Sequence, residues 1–230
     1  MREGVAMTDT IITVRGEFSA WYPAERATVW AAISFDGPSR EDVFARATEA
    51  AETLRSSITA LHDAEKGPVT WWSSESVRVF SDRPWSQDGA QLPLVFHAAI
   101  GFRVKFSGFE ALAGWVEQSS VLDGVSITSV DWALTDATRN AVTTEVRSRS
   151  VKDAVTKATV FAQSIGLGSV SAIALADPGM LGEQGPSSGG SPEQFRMMKS
   201  MSAADASGSL ELKPEEIEVA SVVDARFVAR

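Results

Sequence analysis

The sequence predicts an α+β fold in which a mainly antiparallel sheet carries two long helices and one short helix on one face. Three observations support this. Period-two alternation of apolar and polar residues recurs in several segments, period-three-to-four stripes occupy two long ones, and Gly/Pro/Asp clusters separate them. With 230 residues, 44% of them apolar and 22% charged, the chain can bury a sizeable core without disulfides or metals.

Residues 11–22 and 26–36 read as strands on either side of Pro23, and their proximity suggests an antiparallel opening pair. In the second, Ala27, Val29, Ala31, Ile33 and Phe35 share one face. Gly37-Pro38-Ser39 then starts a helix, with Ser39 as N-cap and Asp42 in a capping-box-like position. Its apolar stripe runs through Phe44, Ala47, Ala51, Leu54, Ile58 and Leu61, leaving Arg46, Glu49, Glu52 and Arg55 in water, and Gly67-Pro68 ends it.

A strand at about 69–80 and a turn region over 82–93 lead into the clearest strand of the chain. There Leu94, Phe96, Ala98, Ile100, Phe102, Val104 and Phe106 alternate with Val95, His97, Ala99, Gly101, Arg103 and Lys105. A short helix at 109–122 and a strand at 125–134 precede a long helix over 136–165, for which the stripe Val151, Ala154, Val155, Ala158, Phe161, Ala162 and Ile165 is expected. Gly166 and Gly168 stop it. The strand GSVSAIALAD and a Gly/Ser/Pro-rich stretch over 178–214 follow. In the final strand Ile217, Val219, Val223 and Phe227 share a face. Residues 26–106 and 125–228 both run strand, long helix, strand, loop, strand, which suggests an internal duplication of strand-helix-strand-strand units. The expected organisation is a flexible amino terminus at 1–10 and a single domain at 11–230 with a mobile loop at 178–214.

The chemistry is sparse. A net charge of −9 argues against nucleic acid as a partner, and the absence of cysteine removes disulfides, thiol catalysis and thiolate metal sites. His62 and His97 read as surface residues, since no nucleophile elbow between a strand and a helix and no His-x-x-x-His pair accompanies them. The glycines of 166–168 and of GEQGPSSGG lack the strand-loop-helix setting of a phosphate loop. No catalytic residue, cofactor or metal is therefore assigned. Arg139, Arg147, Arg149, Lys152 and Lys157, with Glu145 and Asp153 between them, form an ion-paired helix face. The chain opens MREGVAMTDT, with no apolar core of a secretory signal, and no segment approaches a transmembrane span. A soluble cytoplasmic protein is expected, or a periplasmic or surface one where a leader has been removed.

Four segments carry a resemblance to a known family: ITVRGEFSAWYPAERATVWAAIS, GVSITSVDWALTD before a long Ala-rich helix, KDAVTKATVFAQSIGLGSVSAIALAD, and LKPEEIEVASVVDARFVAR. Their order and spacing across almost the whole chain resemble the SIMPL domain family. The resemblance implies an α+β fold and bacterial relatives that are periplasmic or surface-associated and assemble into ring-like homo-oligomers. It implies no agreed catalytic residues. The missing leader and the Trp-rich segments WWSSE and SVRVFSDRPW depart from the family pattern.

Two function classes follow. In the first, the protein is a non-enzymatic, self-associating binding or scaffold protein, a homo-oligomer that also takes a protein partner. Its contacts are Trp71, Trp72 and Trp85, with Phe195, Met197, Met198 and Met201 in the 178–214 stretch. In the second it binds a small molecule, or is an enzyme of unrecognised type, through a Trp-lined groove bearing Glu75 or Asp82.

Overall fold

In a computed structural model of the chain, residues 9–85, 87, 91–182 and 212–230 are described. The strands are β1 (Thr10–Pro23), β2 (Arg26–Gly37), β3 (Val69–Ser74), β4 (Arg78–Asp82), β5 (Val95–Phe106), β6 (Val125–Ala133), β7 (Val170–Ala176) and β8 (Glu216–Ala229). The helices are α1 (Arg40–Leu61), α2 (Phe109–Ser120) and α3 (Asp136–Ser164), so the α+β class expected from periodicity is the class observed. The chain divides into two compact units. One comprises Met1–Tyr22, Asp136–Asp205 and Glu218–Arg230, and the other Pro23–Thr135 and Ala206–Ile217.

The second unit is built on a five-stranded antiparallel sheet in the order β3-β5-β2-β6, with β4 continuing the β3 side of β5. The expected single strand at 69–80 is thus two short ones, β3 and β4, both paired to β5. Strict alternation along β2 and β5 puts Ala27, Val29, Ala31, Ile33 and Phe35 on the same face as Ala98, Ile100, Phe102, Val104 and Phe106. Helices α1 and α2 cover this inner face through Val43, Ala47, Ala51, Leu54, Ile58, Leu112, Trp115 and Val116. The indole N–H of Trp115 donates to Ser57 Oγ at 3.0 Å, so this buried ring keeps a polar partner. At the start of α1, Ser39 Oγ accepts from the Asp42 N–H, as the capping pattern predicts. The stripe of α1 differs by one residue from expectation: Val43 is buried, whereas Phe44 is 48% exposed. Burying Val43 keeps the step of four to Ala47, and Phe44 falls on the flank of the stripe.

The first unit holds a three-stranded sheet in the order β1-β8-β7, with α3 against it. This corrects the expected pairing of the opening strands: β1 joins β8, while β2 pairs with β5 and β6. Chain proximity gave no guide, because the residues that pair with β2 lie 59 or more positions away in sequence and satisfy its backbone on both sides. The repeated strand-helix-strand-strand order is likewise shared between sheets, since β6, which opens the second stretch, pairs with β2. Small residues bring α3 close. A Cβ on Gly16 of β1 would lie 2.0 Å from Ser150 O and 2.8 Å from Ala154 Cβ. The buried stripe of α3 is Val142, Val146, Ser150, Ala154, Ala158 and Ala162, and the expected members Val155, Phe161 and Ile165 are exposed instead. The helix ends as expected at Gly166, whose φ of +82° suits a residue without Cβ. Leu167 N–H then bonds Ala162 O and Gly166 N–H bonds Gln163 O, closing a Schellman motif.

Candidate functional surfaces

The face of the five-stranded sheet opposite α1 and α2 is lined by the polar half of the alternation. Register places Trp71 opposite Lys105, Ser73 and Trp30 opposite Arg103, and Thr28 opposite both Lys105 and Asp131. The result is a continuous patch across β3, β5, β2 and β6. Trp30 and Trp71 are 37% and 44% exposed. Arg103 links them: its guanidinium carbon lies 5.3 Å from the Trp30 ring centre and 5.8 Å from that of Trp71, and Lys105 Nζ is 5.9 Å from Trp71. Trp30 is held in place from the other side, where its indole N–H donates to Asp131 Oδ2 at 2.6 Å. A register shift against β6 at Trp30/Ala31 leaves Thr128 with its hydroxyl on Trp30 O at 2.9 Å, so a bulge sets the angle of this tryptophan.

Further along the same face, Phe80 of β4 stacks on His97 of β5 at 4.9 Å, and His97 Nε2 meets Asp82 Oδ1 at 2.9 Å. Arg78 lies 5.5 Å from the Phe80 ring centre. Between the two clusters the face is made of Ala32, Ala99 and Gly101, and the Glu75 carboxylate lies where a Cβ on Gly101 would reach. His97 and Asp82 form a two-residue pair. Among the described residues no group of three or more His, Asp or Glu could hold a metal ion.

The structure separates the tryptophans that the sequence grouped. Trp71 belongs to the exposed patch, Trp72 points to the inner face and packs against the core, and Trp85, 81% exposed, lies in the connection after β4. Phe195, Met197, Met198 and Met201 lie outside the described residues. Glu75 and Asp82 are both on the outer face, but neither of two shallow depressions in this unit, one lined by Arg40, Glu41, Phe44, Val77 and Val79 and the other by Glu52, Arg55, Ser56, Thr59 and Ala60, contains a tryptophan. Trp30 was missed among candidate contacts. Its even-numbered place in a strand whose odd positions are apolar was the available signal.

The smaller sheet offers a different surface. Among the described residues its order leaves β7 at an edge, with one neighbouring strand, β8. Ile173 and Leu175 of this strand, Phe161 on the helix packed against it and Ile165 in the turn that follows that helix are 51–60% exposed. Several charges of this unit, by contrast, are paired. Arg149 pairs with Glu145 at 2.7 Å and Lys157 with Asp153 at 2.8 Å, as expected for an ion-paired helix face. Asp224 on β8 accepts from Arg15 Nε of β1 at 2.8 Å and from Gly179 N–H at 2.7 Å. The hydrogen bond from Arg15 is the largest cause holding the Asp224 carboxyl below its usual range, with the Gly179 N–H adding to it. No helix among the described residues is long and apolar enough to cross a membrane.

A family model, SIMPL, described as a protein of unknown function (DUF541), matches residues 12–227, which takes in strands of both units. No curated protein matches the chain.

Proposed function

This chain belongs to the SIMPL family, and we propose that it acts without catalysis, as a self-associating binding protein whose copies meet along the β7 edge of the three-stranded sheet. The observation that carries this reading is that β7, at an edge of its sheet among the described residues, bears the exposed Ile173 and Leu175 and packs against α3, whose last turns and end bear Phe161 and Ile165, all four more than half exposed. Unpaired edges template pairing with another chain, and contiguous exposed apolar residues favour association because burial removes them from water at about 25 cal/mol per Å². Antiparallel pairing of β7 with β7 of a second copy about a two-fold axis satisfies both backbones.

Light scattering after size exclusion tests this. The expected particle has at least twice the chain mass of 24.6 kDa. Phe161→Asp and Leu175→Lys, both at exposed positions, should return it to one chain, whereas Trp71→Ser on the other unit should leave the mass unchanged. A strictly monomeric particle at high protein concentration sinks the proposal, as does an oligomer that neither edge variant alters.

A further inference from the structure

The outer face of the five-stranded sheet holds a feature that self-association at β7 does not use. Arg78, Arg103 and Lys105 all stand on it, and among the described residues none of them has a carboxylate partner within ion-pair distance; each lies over an aromatic ring instead. Several cations elsewhere are neutralised instead. Arg15, Arg46, Arg55, Arg149, Lys157 and Arg230 each meet an Asp or Glu. In a chain with 30 acidic residues and 21 Lys and Arg, cations left beside indoles are unneutralised charge at a prepared position. A guanidinium lying against indole rings keeps its five N–H donors in a plane and is free to present two of them to an oxyanion.

Four other properties of the patch select the ligand. It crosses four strands, so it suits an extended molecule rather than a compact one. Two exposed indoles offer apolar platforms, their centres separated by no more than the combined reach of Arg103 to each. Thr28, Ser73 and Ser129 share the face and can donate or accept. Carboxylates are also present: Asp131, which uses one oxygen on Trp30, Glu75 over Gly101, Asp82 on His97, and Asp36 opposite His97. A phosphodiester chain carries a charge on every unit and would meet those four carboxylates with repulsion. A neutral sugar would leave Arg103 unused.

We infer that this face binds an acidic oligosaccharide, a glycan carrying uronate-type carboxylates, with Trp30 and Trp71 stacked under the C–H faces of sugar rings and Arg103 holding a carboxylate. The match is specific in chemistry. The ring faces are apolar and meet the indoles, the hydroxyls meet Asp131 and the Thr and Ser hydroxyls, and the sparse negative charge meets Arg103 in a charge-assisted pair assisted by Lys105. Nothing in the reading requires the β7 edge to be occupied.

Titration calorimetry on the full chain, with tryptophan fluorescence alongside, tests the inference with three probes: an oligosaccharide in which glucuronate alternates with a neutral N-acetylhexosamine, its carboxyl-reduced counterpart and oligothymidylate of similar length. Saturable binding of the uronate-containing oligosaccharide is expected. Carboxyl reduction, Arg103→Ala and Trp71→Ala should each weaken it about tenfold, the scale of one charge-assisted or stacking contact, and Lys105→Ala should weaken it less. Arg103→Lys keeps the charge but loses the fork and should fall between wild type and Arg103→Ala, while Arg149→Ala on α3 should bind as wild type does. The inference is overturned by absence of saturable binding, by equal affinity for the carboxyl-reduced probe, by tighter binding of oligothymidylate, or by an Arg149→Ala loss matching that of Arg103→Ala.

Discussion

The two units seal their sheets in opposite ways. Under the five-stranded sheet, Phe102, Phe106, Ile33, Leu54, Ile58 and Leu112 are fully buried, and two helices close over them. Beneath α3, the core of the three-stranded sheet is mostly small: Ala154, Ala158, Ala162, Ala225 and Ala229, with Ile12, Val14 and the one large ring of Phe227. The first arrangement fills volume with side chains; the second brings backbones together, with Gly16 under Ser150 and Ala154. Close approach leaves no room for large residues between helix and sheet, and that is why Phe161, Ile165 and Leu175 remain outside in the smaller unit. Sensitivity to mutation should therefore differ in kind: removing volume should damage the larger unit, and adding it the smaller.

The largest effect should come from Phe102→Ala. The ring is buried against both helical layers, and its loss should cost about 3–5 kcal/mol, read as a fall in the urea midpoint. A loss well under 1 kcal/mol would show that the core of this unit can collapse around the void. Gly16→Ala comes next and is the sharper contrast. A methyl added to a strand glycine ordinarily stabilises, but here it meets a carbonyl oxygen and a Cβ inside contact distance, so a cost of about 1–3 kcal/mol is expected. Stabilisation by this substitution would remove the close-approach account of α3.

The smallest effect concerns charge. Asp224 has a carboxyl held below its ordinary value, first by the hydrogen bond from Arg15. A depressed folded-state value means that the contribution is complete above the unfolded value of roughly 3.9 and is lost as pH falls toward the lower folded one. Asp224→Asn should therefore lower the urea midpoint at pH 7 while flattening its decline between about pH 4 and pH 2, relative to wild type. An acid limb identical in the two proteins would mean that Arg15 gives Asp224 no folded-state preference for the ionised form.

Much of the larger unit was legible in the chain. The alternation of residues 94–106 reports a strand with one wet face, and the structure keeps every member from Ala98 to Phe106 in place. Ser39 and Asp42 announce the start of α1, and Gly166 the end of α3, because caps are local chemistry within four residues. The stripe of α3 was read correctly at Ala154, Ala158 and Ala162 and wrongly at Val155, Phe161 and Ile165. Size and apolarity favour the latter three for the core, but Gly16 packs directly on Ser150 and Ala154, and the helix keeps small residues on that side through Ala162. Trp71 and Trp72 were adjacent in the sequence and equal as candidates; the pleat sends them to opposite faces, one to the exposed patch and one to the core.

Local interactions thus settled the class, the element order and most helix ends, along with the family resemblance that the match over residues 12–227 bears out. What required the folded chain was the division of the strands between two sheets, the face each tryptophan presents, and the gathering of Trp30, Trp71, Arg103 and Lys105 on one surface. Strand partners are chosen by backbone hydrogen bonds between residues far apart in the chain, and any of several alternating segments could satisfy them equally well on pattern alone. Packing against α1, α2 and α3 breaks that degeneracy, because only one assignment buries each apolar face under a helix whose side chains fit it.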